Sequence, residues 1–231
     1  MTAPPRIKFC GITRLEDAEL AVEAGAWAIG LILWPGSVRA CDVAEAELIA
    51  RRLRRTVEVA GVFVNPTLDE VAFAADTIGL TMVQLHGDEG PSFCAEVARK
   101  TGAKVSKAVR VRARADVQAL EAFPTDFHLL DSHVTGQRGG TGETFEWSLV
   151  RERRSSAQLI LSGGLTADNV GEAIAATEPF AVDVASGTEA TPGVKDPERL
   201  RAFAAAVAAT APEPAAEPEP EPDAPAQIAA P

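Results

Sequence analysis

The chain has 231 residues, 46% of them apolar and 24% charged, with a formal net charge of −11; this is the composition of a globular protein of one or two domains. The acidic balance and an aromatic content of only 5% exclude a general nucleic-acid binder, which needs a basic face or stacking rings. No window approaches the ~18 consecutive apolar residues of a membrane span, and the N-terminal MTAPPRIKFCGIT lacks the basic and apolar segments of a secretory leader, so a cytoplasmic protein with reduced thiols and no membrane partner is expected.

In chain order, short apolar runs bounded by Gly, Pro, Asn, Asp or Ser alternate with amphipathic stretches. Strands are predicted at 7–12, 28–33, 57–64, 81–85, 104–111, 127–130, 158–161 and 180–185, nearly continuous in apolar residues, as strands covered on both faces are. A helix follows each. Thr13 and Glu16 have the spacing of a capping box before the first, which Gly25 ends. Asp42 and Glu45 open the second, up to about Arg54, and Thr67 and Glu70 open the third, which stops near Gly79. The fourth runs over 91–100 and stops at Gly102, the fifth over 115–122, the sixth over 145–153. Thr166 is the expected cap of a seventh at 167–176, and Asp196 before Pro197 starts the eighth. Eight such units in about 204 residues point to a closed α/β architecture, a single (β/α)8 TIM barrel over 1–210, in preference to an open doubly wound sheet. The last stretch, 211–231, is rich in Pro, Ala and Glu. It holds seven of the sixteen prolines and five acids with no Lys or Arg, and it is expected to be a disordered acidic tail; without it 28 acids face 22 bases.

A barrel places its chemistry at the C-terminal strand ends. Alternation along the strands puts Lys8 with Cys10, Gln84 with His86, Phe127 and Leu129 with Asp131, and Ala181 with Asp183. A lysine does not belong against the helix layer, so Lys8 and Cys10 are expected to point inward, and a thiol, two carboxylates and an imidazole share one cavity. His128 faces outward, and His133 lies in a polar loop. The glycine-bearing loops SGGLTADN (162–169) and ASGTE (185–189), after the seventh and eighth strands, suit an anion held by backbone N–H groups: Gly163, Gly164, Ser186 and Gly187 are the candidate phosphate site. The three cysteines, Cys10, Cys41 and Cys94, fit neither a disulfide framework nor a zinc site, and Cys41 and Cys94 read as structural.

KFCGIT at the first strand, QLHG at the fourth, LLDS followed by GGTG and FEW, SGGL at the seventh, and SGTE followed by PGVKDP occur in this order over about 7–207. Together they resemble the phosphoribosylanthranilate isomerase family of tryptophan biosynthesis. The resemblance implies an Amadori rearrangement of a phosphorylated small-molecule substrate, N-(5-phosphoribosyl)anthranilate, with no metal and no organic cofactor. It implies that Cys10 is the base that takes the C2 proton and Asp131 the acid that protonates the furanose oxygen, so that two groups in one cavity have pKa values pushed apart. It further implies that Arg39, in WPGSVRAC, holds the ring carboxylate, although Val38 and Ala40-Cys41 depart from the family's usual neighbours. Asp183 takes the family position beside the ribulose hydroxyls and is also placed to pair with Lys8 inside the barrel; His86 and Lys8 bind the ribose or support the site. The polar segment 132–142 is expected to cover it. Two other phosphosugar barrels, indoleglycerol-phosphate synthase and the histidine-pathway isomerase, use a Lys–Glu set or two aspartates, which the KFCGIT cysteine disfavours. A non-enzymatic barrel would be expected to have lost Cys10 or Asp131. Monomer and homodimer both stay open.

Overall fold

A computed structural model of the protein describes residues 3–131, 150 and 153–211. Eight parallel strands, β1 (Arg6–Cys10), β2 (Ala28–Ile32), β3 (Glu58–Phe63), β4 (Met82–Leu85), β5 (Lys104–Arg110), β6 (Phe127–Asp131), β7 (Gln158–Ser162) and β8 (Ala181–Val184), close on one another in sequence order. The closing pair β1–β8 sets Lys8 opposite Asp183. Helices α1 (Leu15–Glu23), α2 (Val43–Leu53), α3 (Leu68–Ala74), α4 (Pro91–Thr101), α5 (Arg114–Ala119), α6 (Val170–Thr177) and α7 (Pro197–Ala208) surround the barrel. A small antiparallel hairpin, β9 (Glu189–Thr191) with β10 (Val194–Lys195), follows β8. Among the described residues no helix is long and apolar enough to cross a membrane.

Strand alternation sorts the side chains as expected. Ile7 and Phe9 join the large outer core between strands and helices, while Ala60, Met82, Ala108, Phe127, Leu129, Ile160 and Ala181 fill the barrel interior. Several helix boundaries also follow the sequence punctuation. Thr67 and Glu70 make a complete capping box, Asp42 accepts from Ala44 N, Asp196 accepts from Glu198 N and Arg199 N, and Gly102 ends α4 in the left-handed region.

Four local expectations are corrected. The Thr13–Glu16 box does not form: the Thr13 hydroxyl donates to Gly193 O at 2.5 Å, Glu16 pairs with Arg14, and Arg14 is the N-cap of α1. Glu45, the second member of the looser box before α2, accepts instead from Leu15 N at 2.7 Å, so it ties α2 to α1. The seventh predicted helix begins three residues late, because the Asn169 carboxamide accepts from Thr166 N at 2.8 Å and holds 166–169 as a separate turn before α6. The fifth is split into α5 and a 3-10 turn over Leu120–Ala122. Most of the predicted sixth helix (145–153), the covering segment 132–142 with His133, and nearly all of the tail (211–231) lie outside the described residues.

Candidate active site

The interior changes character along the barrel axis. Above the apolar layer, the inward positions of β1, β4, β7 and β8 carry Lys8, Cys10, Gln84, Ser162 and Asp183, and Asp131 closes β6 beside Ser162 in register. Lys8 is fully buried, and its Nζ donates to Asp183 Oδ1 at 2.6 Å; Ser162 Oγ donates to Asp183 Oδ2 at 3.0 Å. Both oxygens of Asp183 thus accept from protein donors, and the expected pairing with Lys8 is present. A buried lysine is costly unless paired. Burial acts against its charge, but the Asp183 carboxylate and Cys10 outweigh burial and raise its pKa.

Cys10 ends β1 opposite Gly30 of β2. A Cβ on Gly30 would lie 2.7 Å from Cys10 Sγ and 3.0 Å from Lys8 Nζ, so only glycine leaves room for the thiol and the ammonium together. Burial pushes the Cys10 thiol up from its ordinary pKa, while the Lys8 and Lys195 ammonium groups pull it back. Cys41 and Cys94 are buried too, and burial takes them up to about 12 and about 11. Neither adjoins the Lys8–Asp183 pair. Around Cys10 the Lys8 and Lys195 ammonium groups favour a thiolate, and the Asp183 carboxylate opposes it.

His86 follows β4 and sets Nε2 3.6 Å from Asp131 Oδ2, while its Nδ1 is 3.2 Å from Gln84 Nε2. His128 turns outward as expected, between Phe123 O and Arg153. Arg39 is not an isolated loop arginine. Its Nε and Nη2 donate to both oxygens of Glu189 at 2.7 to 3.0 Å. Gly163 and Gly164 both have positive φ after β7. Ser186–Gly187–Thr188 forms a 3-10 turn after β8. A Cβ on Gly187 would lie 2.1 Å from Leu165 O, so the two glycine-bearing loops touch backbone to backbone. Among the described residues no group of His, Cys, Asp and Glu is arranged to hold a metal ion.

Cys10, Asp131, Lys8, Asp183 and His86 therefore converge at the upper end of the barrel, and the two glycine-bearing loops lie together beyond β7 and β8. Residue-by-residue reading missed Gly30, Glu189 and Lys195. A glycine inside a strand signals close approach, a signal present at Gly30; Glu189 and Lys195 fall inside the SGTE and PGVKDP motifs, but nothing in their local pattern assigns either a partner.

A profile described as N-(5'phosphoribosyl)anthranilate (PRA) isomerase matches residues 7–206. The N-(5'-phosphoribosyl)anthranilate isomerase of Citrifermentans bemidjiense is 45% identical over 200 residues, 87% of this chain and 95% of that protein. That of Azotobacter vinelandii is 47% identical over 203 residues, 87% and 96% of the two chains. Among solved structures, phosphoribosyl anthranilate isomerase from Thermotoga maritima superposes with a TM-score of 0.77 at 40% identity, covering 88% of this chain and 98% of that one. A phosphoribosyl anthranilate isomerase in complex with reduced 1-(o-carboxyphenylamino)-1-deoxyribulose 5-phosphate is also similar, with a TM-score of 0.75 at 38% identity and the same coverage.

Proposed function

The chain belongs to the N-(5'-phosphoribosyl)anthranilate isomerase family, and from this premise we propose how its residues carry the family's reaction. The protein is an isomerase that converts N-(5-phosphoribosyl)anthranilate into 1-(2-carboxyphenylamino)-1-deoxyribulose 5-phosphate, in tryptophan biosynthesis. Asp131 donates a proton to the furanose oxygen; the ring C1–O bond breaks as the anilino nitrogen lone pair forms the iminium. Cys10, as thiolate, then takes the C2 proton, and the electrons of that C–H bond neutralise the iminium to give the enolamine. Transfer of the enol proton to C1 leaves the ketone. His86, 3.6 Å from Asp131, is placed to return the acid's proton.

The observation that carries this reading is the placement of Cys10 beside the Lys8 ammonium, in the cavity that Asp131 borders. Lys8 and Asp183 support the thiol from below. Arg39 takes the substrate's ring carboxylate through the part of its fork that Glu189 does not use. Gly163, Gly164, Ser186 and Gly187 take its phosphate through backbone N–H groups. The barrel over 1–210 is the catalytic unit, acting in the cytoplasm as a monomer or homodimer, and 211–231 is an accessory acidic tail.

The test is turnover of substrate made from anthranilate and phosphoribosyl pyrophosphate, followed by loss of its fluorescence. Cys10→Ala and Asp131→Asn should each lower kcat by roughly 10²–10⁴-fold with the fold intact. Cys10→Ala should also abolish exchange of the C2 proton with solvent, whereas Asp131→Asn should stall at ring opening. Near-normal turnover by Cys10→Ala would overturn the assignment of the base.

A further inference from the structure

Glu189 lies in the hairpin after β8, far in sequence from Arg39 in the loop after β2, yet the two meet in a two-pronged contact. Arg39 Nε is 2.8 Å from Glu189 Oε1, and Nη2 is 2.7 Å from Oε2. The Arg39 side chain is 24% exposed and that of Glu189 only 4%, so the carboxylate grips the buried part of the guanidinium. A guanidinium has five N–H donors. Nε–H and one Nη2–H are taken, which leaves Nη1 and the second Nη2–H as a second, parallel pair.

Glu189 is itself held. Lys195 Nζ, fully buried, lies 3.5 Å from Glu189 Oε1 and donates to Cys10 O at 2.8 Å and Ala185 O at 3.0 Å. Arg199 Nη1 donates to Glu189 O at 2.6 Å, and Asp17 accepts from Lys195 N at 3.0 Å. Burial opposes the Glu189 charge, but Arg39 and Lys195 outweigh it and lower its pKa, so the group is ionised at neutral pH. One buried chain of contacts thus runs from Arg39 through Glu189 and Lys195 to the backbone of the residue that bears the thiol.

We propose that Glu189 is a positioning residue for substrate recognition: by occupying the Nε edge of Arg39 it turns the remaining pair of N–H donors toward the substrate's ring carboxylate, in a frame tied to Cys10. This rests on the assignment of Arg39 to that carboxylate. Without Glu189 the guanidinium keeps its charge but loses its fixed orientation, and a bidentate pair depends on orientation as much as on charge.

The experiment measures KM and kcat for Glu189→Gln and Glu189→Asp, with Arg39 intact and in an Arg39→Ala background, on N-(5-phosphoribosyl)anthranilate and on its aniline counterpart without the carboxylate. Both single variants should raise KM for the carboxylate substrate about tenfold, the scale of one lost charge-assisted bond, with kcat falling by much less. KM for the aniline substrate should not move, and in the Arg39→Ala background neither substitution should add to KM. An unchanged KM, or an equal rise with both substrates or with Arg39 absent, would overturn the positioning role while leaving the carboxylate assignment standing. If Arg39→Ala itself failed to distinguish the two substrates, the carboxylate assignment would fall, and the proposal with it. Glu189→Asp keeps the buried charge and guards against misfolding of Glu189→Gln. Loss of folding in both, with Arg39→Ala folded, would make Glu189 a structural support only and overturn the proposal.

Discussion

At the N-terminal end of the barrel, Trp27, Phe127 and Phe180 pack against one another, with ring centroids 5.2 to 5.7 Å apart, and Arg6 lies over two of the rings. At the C-terminal end the same strands carry Lys8 against Asp183, Cys10 beside Lys8, and Asp131 facing His86. One end lowers the free energy by removing apolar surface from water. The other holds ionised groups out of water, which is favourable only while every partner is in place. Stability and chemistry are therefore separated along the barrel axis, and substitutions at the two ends should fail in different ways.

The largest effects test that separation directly. Phe127→Ala removes a ring from the lower interior and should destabilise the fold by about 3–5 kcal/mol, while kcat per folded molecule stays close to its original value; denaturant unfolding and active-site-normalised rates check both. Lys8→Met strands a buried carboxylate and should cost a similar ~3–5 kcal/mol, but it should also lower kcat, because the cation beside the thiol is gone. Lys8→Met combined with Asp183→Asn should recover much of the stability and none of the rate. A Lys8→Met protein of unchanged stability would show that the upper end is not organised around charge pairing.

A smaller effect belongs to the phosphate loops. Inorganic phosphate should raise the melting temperature by binding only the folded protein, worth about 2.7 kcal/mol at a hundredfold excess over its Kd. Gly187→Ala places a methyl group against Leu165 O, so it should separate the two loops and remove that protection. The smallest effect concerns the resting thiol. Burial raises the Cys10 pKa, so the thiolate fraction at neutral pH is below that of an ordinary cysteine and grows as pH rises. Alkylation of Cys10 in the free protein, followed by mass spectrometry, should be slower than for a free thiol at pH 7 and should accelerate on the alkaline side. In Lys8→Met it should be slower still at every pH, because the main group that favours the thiolate is absent.

The alternation of short apolar runs with capped amphipathic stretches is a local property, and it was enough to define the closed eight-stranded barrel. Side-chain parity, equally local, placed Lys8, Cys10, Asp131 and Asp183 inward and His128 outward. The helix starts expected at Thr13 and Thr166 are displaced because a hydroxyl or amide with cap spacing still chooses among all the partners that folding brings near, and Gly193 O and the Asn169 side chain prevail. Arg39 was legible as a charge in a loop, but its partner Glu189 was not, since 150 residues separate them. Neither was the crowding that requires glycine at position 30. Periodicity and capping report on contacts within a few residues of the chain. Which buried charges neutralise one another depends on distances of a few ångströms across strands and loops, and those exist only once the barrel has closed.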